Sequence, residues 1–182
     1  LGNVNPIGIR SCYDEGKRCA ESLFYDYART KNANICVARI FNTYGPHMRP
    51  DDGRVISNII MQSLSNEQIT VFGDGSQTRG FCYVDDRIDG LIALMESQEV
   101  IDGPVNLGNP TEYPINDVVK LVLNLTESGS RAVYSPLPQD DPCQRQPVVS
   151  KAKRYLGWTP KVGLSSGLVD TISYFRGLVG EV

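Results

Sequence analysis

Residues 35–46 read ICVARIFNTYGP. Apart from Arg39, the first seven are apolar and include β-branched side chains, as in a short strand buried on both faces. At Asn42 the run stops, and glycine and proline take the chain out of the sheet. Ligands of open α/β sheets lie outside the carboxyl ends of the strands. A polar side chain at Asn42 therefore stands beside a binding crevice, or caps the turn. Upstream, residues 11–31 predict a long helix with Ser11 as cap and Cys19, Leu23 and Tyr27 at helical spacing. Downstream, residues 42–53 are a Pro/Gly-rich loop and 55–64 a helix. Residues 69–72 form a brief strand, and Gly73-Asp74-Gly75 a turn. A second brief strand spans 81–84. Residues 85–97 predict a helix with Ile88, Leu91, Ile92 and Met95 on its buried face. Strands at 104–107 and 132–134 alternate with helices at 115–125, 150–156 and 164–178, the first entered from Thr111 or Pro114 and the second capped by Ser150. The alternation predicts an α/β fold with parallel pairing.

The chain has 182 residues, with 18 basic against 21 acidic side chains and a net charge of −3. That length suits one ordinary domain, and 41% hydrophobic with 21% charged residues excludes a disordered or fibrous chain. A pI near 5.2 argues against nucleic acid as a partner, because such proteins need a basic face. No apolar run approaches membrane-spanning length, and the first residues lack the pattern of a signal peptide. Five cysteines (Cys12, Cys19, Cys36, Cys82 and Cys143) show no C-x-x-C spacing, and His47 is the only histidine, so zinc is not expected. The cysteines are expected as free thiols, mostly buried. Asn124-Leu125-Thr126 forms a sequon, read as a chance tripeptide within a helix.

Tyr13 and Lys17 are one helical turn apart and share a face. A phenol is a poor base at neutral pH, and an adjacent ammonium favours its ionised form. Such a pair can take a proton from a sugar hydroxyl, yet with 9 tyrosines present the bare spacing also arises by chance as a solvated helix pair. Arg54, Arg79 and Arg145 lie in or beside loops. Guanidinium groups grip phosphate oxygens in bidentate fashion, and each arginine alone reads equally as surface solvation. Asp140-Asp141 is a charged turn or a metal-ligand pair. Phe72 and Tyr83 flank the glycine turn and serve either base stacking or the core. No G-x-G-x-x-G occurs, because Thr78 stands where Gly73-x-Gly75 needs a third glycine.

The segments RSCYDEGKRCAE, VARIFNTYGPHMRPDDGRVISN, VFGDGSQTRGFCYVDD, PVNLGNP and QDDPCQRQPVVSKAKRYLGW, in this order and over nearly the whole chain, resemble the extended short-chain dehydrogenase/reductase family, and within it the UDP-glucuronate decarboxylases. The long CYDEGKR and RIFNTYGP-x-M stretches point to the decarboxylases, with a nucleotide-sugar 4,6-dehydratase or 4-epimerase of the same skeleton as the alternative within the family. The resemblance implies the carboxyl-terminal part of a Rossmann-like NAD-binding fold (1–46, with about 81–110 returning to its sheet) joined to a small α/β nucleotide-sugar-binding domain (mainly 47–182). It implies Tyr13 as the catalytic base and Lys17 as its partner, both also touching NAD. Thr43, Tyr44 and Arg54 are implied on the cofactor, and Tyr27, Asn42, Phe72, Arg79 and Arg145 on the UDP-sugar. No metal is implied, and a homodimer is, through a helix pair that includes the Tyr/Lys helix.

Val148 departs from the family pattern, which has an acidic residue there, and His47 stands where a basic one is common. The family's glycine-rich NAD turn, with the Ser/Thr and acid that act at the sugar ring, belongs before the region seen here. A non-catalytic paralogue that binds a nucleotide sugar or a partner subunit is the alternative outside enzymology. Compartment differs among members: animal and many plant forms sit in the Golgi lumen behind an N-terminal anchor, while bacterial and some plant forms are cytosolic. A sheet without its first strands and their covering helices exposes apolar surface. The polypeptide of residues 1–182 is therefore expected to bind NAD weakly or not at all and not to turn over. Formation of UDP-xylose from UDP-glucuronate by the purified chain overturns that expectation.

Overall fold

The structure is a computed structural model that describes residues 4–99, 101–139 and 145–179; Cys143 and the Asp140-Asp141 pair lie outside the described residues. The chain runs α1 (Ser11–Lys31), β1 (Ala38–Ile40), β2 (Thr43–Tyr44), α2 (Val55–Leu64), β3 (Ile69–Phe72), β4 (Thr78–Gly80), β5 (Cys82–Tyr83), α3 (Val84–Glu96), β6 (Val105–Leu107), β7 (Glu112–Pro114), α4 (Ile115–Thr126), β8 (Ala132–Ser135), α5 (Ser150–Leu156) and α6 (Leu164–Val179). Three strand pairs are parallel: β1 with β6, β2 with β5 and β3 with β8. The fourth, β4 with β7, is antiparallel, with Arg79 opposite Tyr113. Sequence patterning missed β4 and β7 because each has three residues and ends on glycine or proline.

Two apolar clusters hold the fold. The larger joins β2, α2, β3, α4 and α6 around Tyr44, Ile60, Val122, Leu168 and Phe175. The smaller gathers Cys82, Leu94, Val105, Leu107, Ala152 and Trp158. In the larger cluster α6 approaches β2 so closely that a Cβ on Gly167 would stand 2.3 Å from the Tyr44 hydroxyl, so only glycine fits there.

Helix α3 buries the opposite face from the one its apolar stripe predicts. Ile88, Ile92 and Met95 are exposed and only Leu91 of the stripe packs, partly buried, on the smaller cluster, whereas Asp86, Arg87, Gly90 and Leu94 are buried. Polar bonding and close approach decide the face. Trp158 donates its indole N–H to the Asp86 carbonyl at 2.8 Å, and the Asp86 carboxylate accepts the amides of Lys161 and Val162. At Gly90 a Cβ would meet Leu107 and Trp158 at 3.0 Å. Ser11 and Ser150 are the first helical residues of α1 and α5 rather than their caps, which fall on Arg10 and Val149. The thiols also depart from expectation: Cys82 is buried, but Cys12, Cys19 and Cys36 are exposed.

Helix α1 has the bounds its periodicity predicts, yet none of its residues is buried. Leu23, Phe24 and Tyr27 are open to solvent, as is Ile40 on β1. The helix is tied to β1 by Arg39, whose Nε and Nη2 donate to the two Glu21 carboxylate oxygens, both at 2.6 Å. Hydrogen bonding from Arg39 holds the Glu21 carboxyl below its ordinary value, against a smaller opposing effect of burial. A carboxyl whose pKa falls on folding contributes stability above its unfolded pKa and loses it as pH drops through the lowered one. Arg39 is half exposed, so solvent screening limits the pair to about 0.5–1 kcal/mol. Glu21→Gln is expected to speed amide hydrogen exchange across residues 11–31 by about two- to fivefold at pH 7. The difference from the parent should vanish as pH falls through the lowered carboxyl value. Equal exchange at pH 7 would show that another contact holds the helix.

Candidate functional site

A cavity of about 320 Å³ opens where the chain leaves β1 and enters α2. Asn42 and Thr43 reach it from the turn after β1, and Arg54, Ile56, Asn58 and Ile59 from the first turns of α2. Val71 and Phe72 of β3, Gln77, Arg79, Phe81 and, after β8, Leu137, Pro138 and Arg145 complete the wall. The α2 entry is shaped by Asp52, whose carboxylate accepts the Arg54 amide at 3.0 Å and the Ser57 hydroxyl at 2.5 Å, tying the loop to the first turn of the helix. The edge below Phe72 is fixed by the glycine turn. Gly73 and Gly75 both adopt φ +74, Asp74 accepts the amide and hydroxyl of Ser76, and Asn116 donates to the Asp74 carbonyl at 2.9 Å. The Ser76 hydroxyl and amide hold the Asp74 carboxyl below its ordinary value.

Three guanidinium groups share this cavity. Arg79 is buried and donates to the Thr78 carbonyl at 2.8 Å. Arg54 is exposed and pairs with Asp52 at 3.3 Å. Arg145 is half-buried. Phe72 leaves 45% of its surface open at the mouth, and the floor is apolar. An apolar pocket with a few convergent cations and one open ring suits a ligand with a planar body and a multiply charged anionic group. The structure therefore brings together Asn42, Thr43, Arg54, Phe72, Arg79 and Arg145, from segments up to about a hundred residues apart.

Tyr13, Lys17, Tyr27 and Tyr44 are not part of this wall. Tyr13 and Lys17 stand together on α1, with the ammonium 5.4 Å from the phenol ring centroid. Tyr13 is 61% exposed, and Tyr27 is exposed further along the same helix. The side chain of Tyr44 departs from the expected cofactor contact: it is 1% exposed and lies within the larger core. Its hydroxyl donates to the Gly163 and Leu164 carbonyls at 3.4 Å, and burial pushes its phenol well above the ordinary value. Successive strand residues face opposite sides: Thr43 lines the cavity, so Tyr44 turns inward. Tyr83 is likewise a core ring, set edge-on to Tyr44 at 5.6 Å, which leaves Phe72 as the exposed aromatic of the pair flanking the glycine turn. His47, in a left-handed conformation, lays its ring 5.0 Å from Tyr174, and Val148 is exposed.

Sequence reasoning missed Asn58 and Gln77. Asn58 sits one helical turn after Arg54, a spacing that puts both on one face of α2. Gln77 lies between the glycine turn and Arg79 and donates to the Phe72 carbonyl at 2.5 Å. Helical spacing from Arg54 marked the first, and no signal marked the second.

Residues 3–108 match the NAD dependent epimerase/dehydratase family. The chain is 51% identical over 175 residues to UDP-glucuronic acid decarboxylase 4 of Arabidopsis thaliana, a match covering 96% of this chain and 39% of that protein. It is 52% identical over 175 residues to UDP-glucuronic acid decarboxylase 1 of Xenopus tropicalis, covering 96% and 41%. Among solved structures, UDP-glucuronic acid 4-epimerase from Bacillus cereus in complex with UDP-glucuronic acid and NAD superposes with a TM-score of 0.82 at 31% identity, over 87% of this chain and 50% of that one. The chain thus spans about two-fifths of the length of these two decarboxylases.

Proposed function

The chain belongs to the NAD dependent epimerase/dehydratase family, and from that premise we propose that it serves the decarboxylation of UDP-glucuronate to UDP-xylose through a 4-keto sugar, with NAD as cofactor. The observation that carries this reading is the convergence of Asn42, Phe72, Arg54, Arg79 and Arg145 on one cavity, in a chain about half identical to decarboxylases over nearly all its length. In this reading residues 1–46, with about 81–110, form the dinucleotide-side unit, supported by the parallel pairing of Ala38–Ile40 with Val105–Leu107. The remainder forms the nucleotide-sugar unit. Homodimerisation through α1 completes the reading, supported by the exposure of Cys19, Leu23 and Tyr27.

The residues present fit the nicotinamide end of a dinucleotide. The phenol of Tyr13 and the ammonium of Lys17 are side by side on an open helix face, a donor set matched to a ribose diol, and Thr43 and Arg54 line the cavity. When bound, NAD supplies the hydride acceptor and donor that open and close the cycle. Lys17 favours the ionised form of Tyr13, and as phenolate Tyr13 takes the proton of the sugar C4 hydroxyl and becomes neutral as hydride leaves C4. In the 4-keto sugar the carboxylate is β to the ketone, so carbon dioxide leaves with its electrons flowing into the carbonyl as an enolate. The enolate is reprotonated at C5, and Tyr13 gives its proton back to the C4 oxygen as hydride returns to C4, which restores the hydroxyl. Arg79 and Arg145 hold the diphosphate, so remote binding energy orients the sugar.

Titration of the purified 182-residue chain with UDP tests the cavity. Arg145→Ala is expected to weaken UDP by about 1.5–3 kcal/mol, roughly 10- to 150-fold, and an unchanged affinity removes Arg145 from the site. The base is tested in a longer family polypeptide that carries these residues. There Tyr13→Phe should abolish turnover of UDP-glucuronate and keep UDP binding, and a rate within about tenfold of the parent refutes the assignment.

A further inference from the structure

Arg87 is a buried basic side chain that the proposed chemistry does not use and that no carboxylate among the described residues pairs with. It sits in the first turn of α3 and is 3% exposed. Its Nη2 donates to the Phe41 carbonyl at 3.1 Å, while its Nε and Nη1 have no hydrogen-bond partner. The neighbouring carboxylate of Asp86 points elsewhere, onto the amides of Lys161 and Val162. The titratable group beside the guanidinium is Cys82, fully buried, whose thiol is pushed up by burial and so stays neutral. A guanidinium remains charged at any physiological pH. A buried cation without a counter-charge weakens a fold unless something else uses its charge.

Its place in the fold says what that use is. Phe41 is followed by Asn42 and Thr43, both in the cavity wall. The Thr43 hydroxyl donates to the same Phe41 carbonyl at 3.0 Å, and the Cys82 amide donates to the Asn42 carbonyl at 2.9 Å. The guanidinium therefore lies one backbone layer behind the wall, in surroundings where charge is weakly screened. We propose that Arg87 is a positioning residue of the anion cavity, clamping the turn that presents Asn42 and Thr43 and lending the cavity a positive charge that no carboxylate among the described residues pairs with. The ligand it favours carries two or more negative charges, such as a nucleoside diphosphate. The inference rests on the nucleotide-sugar reading of the cavity.

The test compares UDP with uridine by calorimetry on the purified 182-residue chain and three variants whose folding is checked by thermal melting. Arg87→Met removes charge and hydrogen bond. Arg87→Gln keeps a donor for the Phe41 carbonyl without charge, and serves alone if Arg87→Met does not fold. Arg87→Lys keeps the charge. Both neutral variants should bind UDP about 5- to 20-fold more weakly and uridine within about twofold of the parent, with Arg87→Lys restoring UDP to within about threefold. UDP affinity within twofold in the neutral variants, or parallel losses of UDP and uridine, overturns the role of Arg87 and leaves the cavity reading intact. A parent that binds UDP no better than uridine overturns the cavity reading and this inference with it.

Discussion

The Phe41 carbonyl is the point on which the arrangement turns. Here the chain passes from β1 to β2, whose Tyr44 belongs to the larger apolar cluster, with Phe41 and Asn42 between the two strands. So short a crossing leaves two backbone carbonyls at the join, and both are satisfied from elsewhere: Phe41 by Thr43 and Arg87, and Asn42 by the Cys82 amide. Unsatisfied buried carbonyls are costly, so the seam between the clusters is set by these bonds as much as by apolar contact. Close packing reinforces it at Gly45, where a Cβ would stand 2.4 Å from Val84. The cavity opens on this seam, and a shift of α3 against the turn would move Asn42 and Thr43 with it.

Much of this was legible in the sequence where the physics is local. The helices expected over 11–31 and 55–64 form with those bounds, and the Tyr13–Lys17 contact follows from spacing alone. What misled was the assumption that the most apolar stripe of a helix faces inward. In α3 a carboxylate, a guanidinium and a glycine won the interior, because each makes a contact that Ile88 or Ile92 cannot: two backbone amides for Asp86, a carbonyl for Arg87, and the approach of Trp158 for Gly90. Those partners are distant in sequence, so no window of neighbouring residues contains them. The two-residue strand at Thr43–Tyr44 is a milder case. Alternation sends one side chain to the cavity and the next to the core, and only the position of α6 against Tyr44 says which is which.

The proposed chemistry accordingly draws on two kinds of order. The phenol and ammonium of α1 are arranged by one helical turn, and they keep their mutual geometry on a helix that buries no residue. The arginines and Phe72 are arranged by long-range packing: α2 seats Arg54, the β4–β7 pair seats Arg79, and the segment beyond β8 brings Arg145. A helix-local pair tolerates loosening of the core. A cavity assembled from distant segments does not.

Charge distribution sharpens this contrast. The chain as a whole is acidic at −3, so its long-range field does not draw anions in. Affinity for a multiply charged anion must come from cations concentrated within a few ångströms and partly withdrawn from water, where a given charge acts far more strongly than at the surface. Arg79 and Arg87 are both nearly inaccessible to solvent, which places them in that regime, whereas Arg54 at the rim is screened and already paired with Asp52. In the proposed reading, selectivity for a diphosphate is thus carried by the two buried cations and by the turn that Arg87 holds, and the exposed arginine contributes chiefly to encounter.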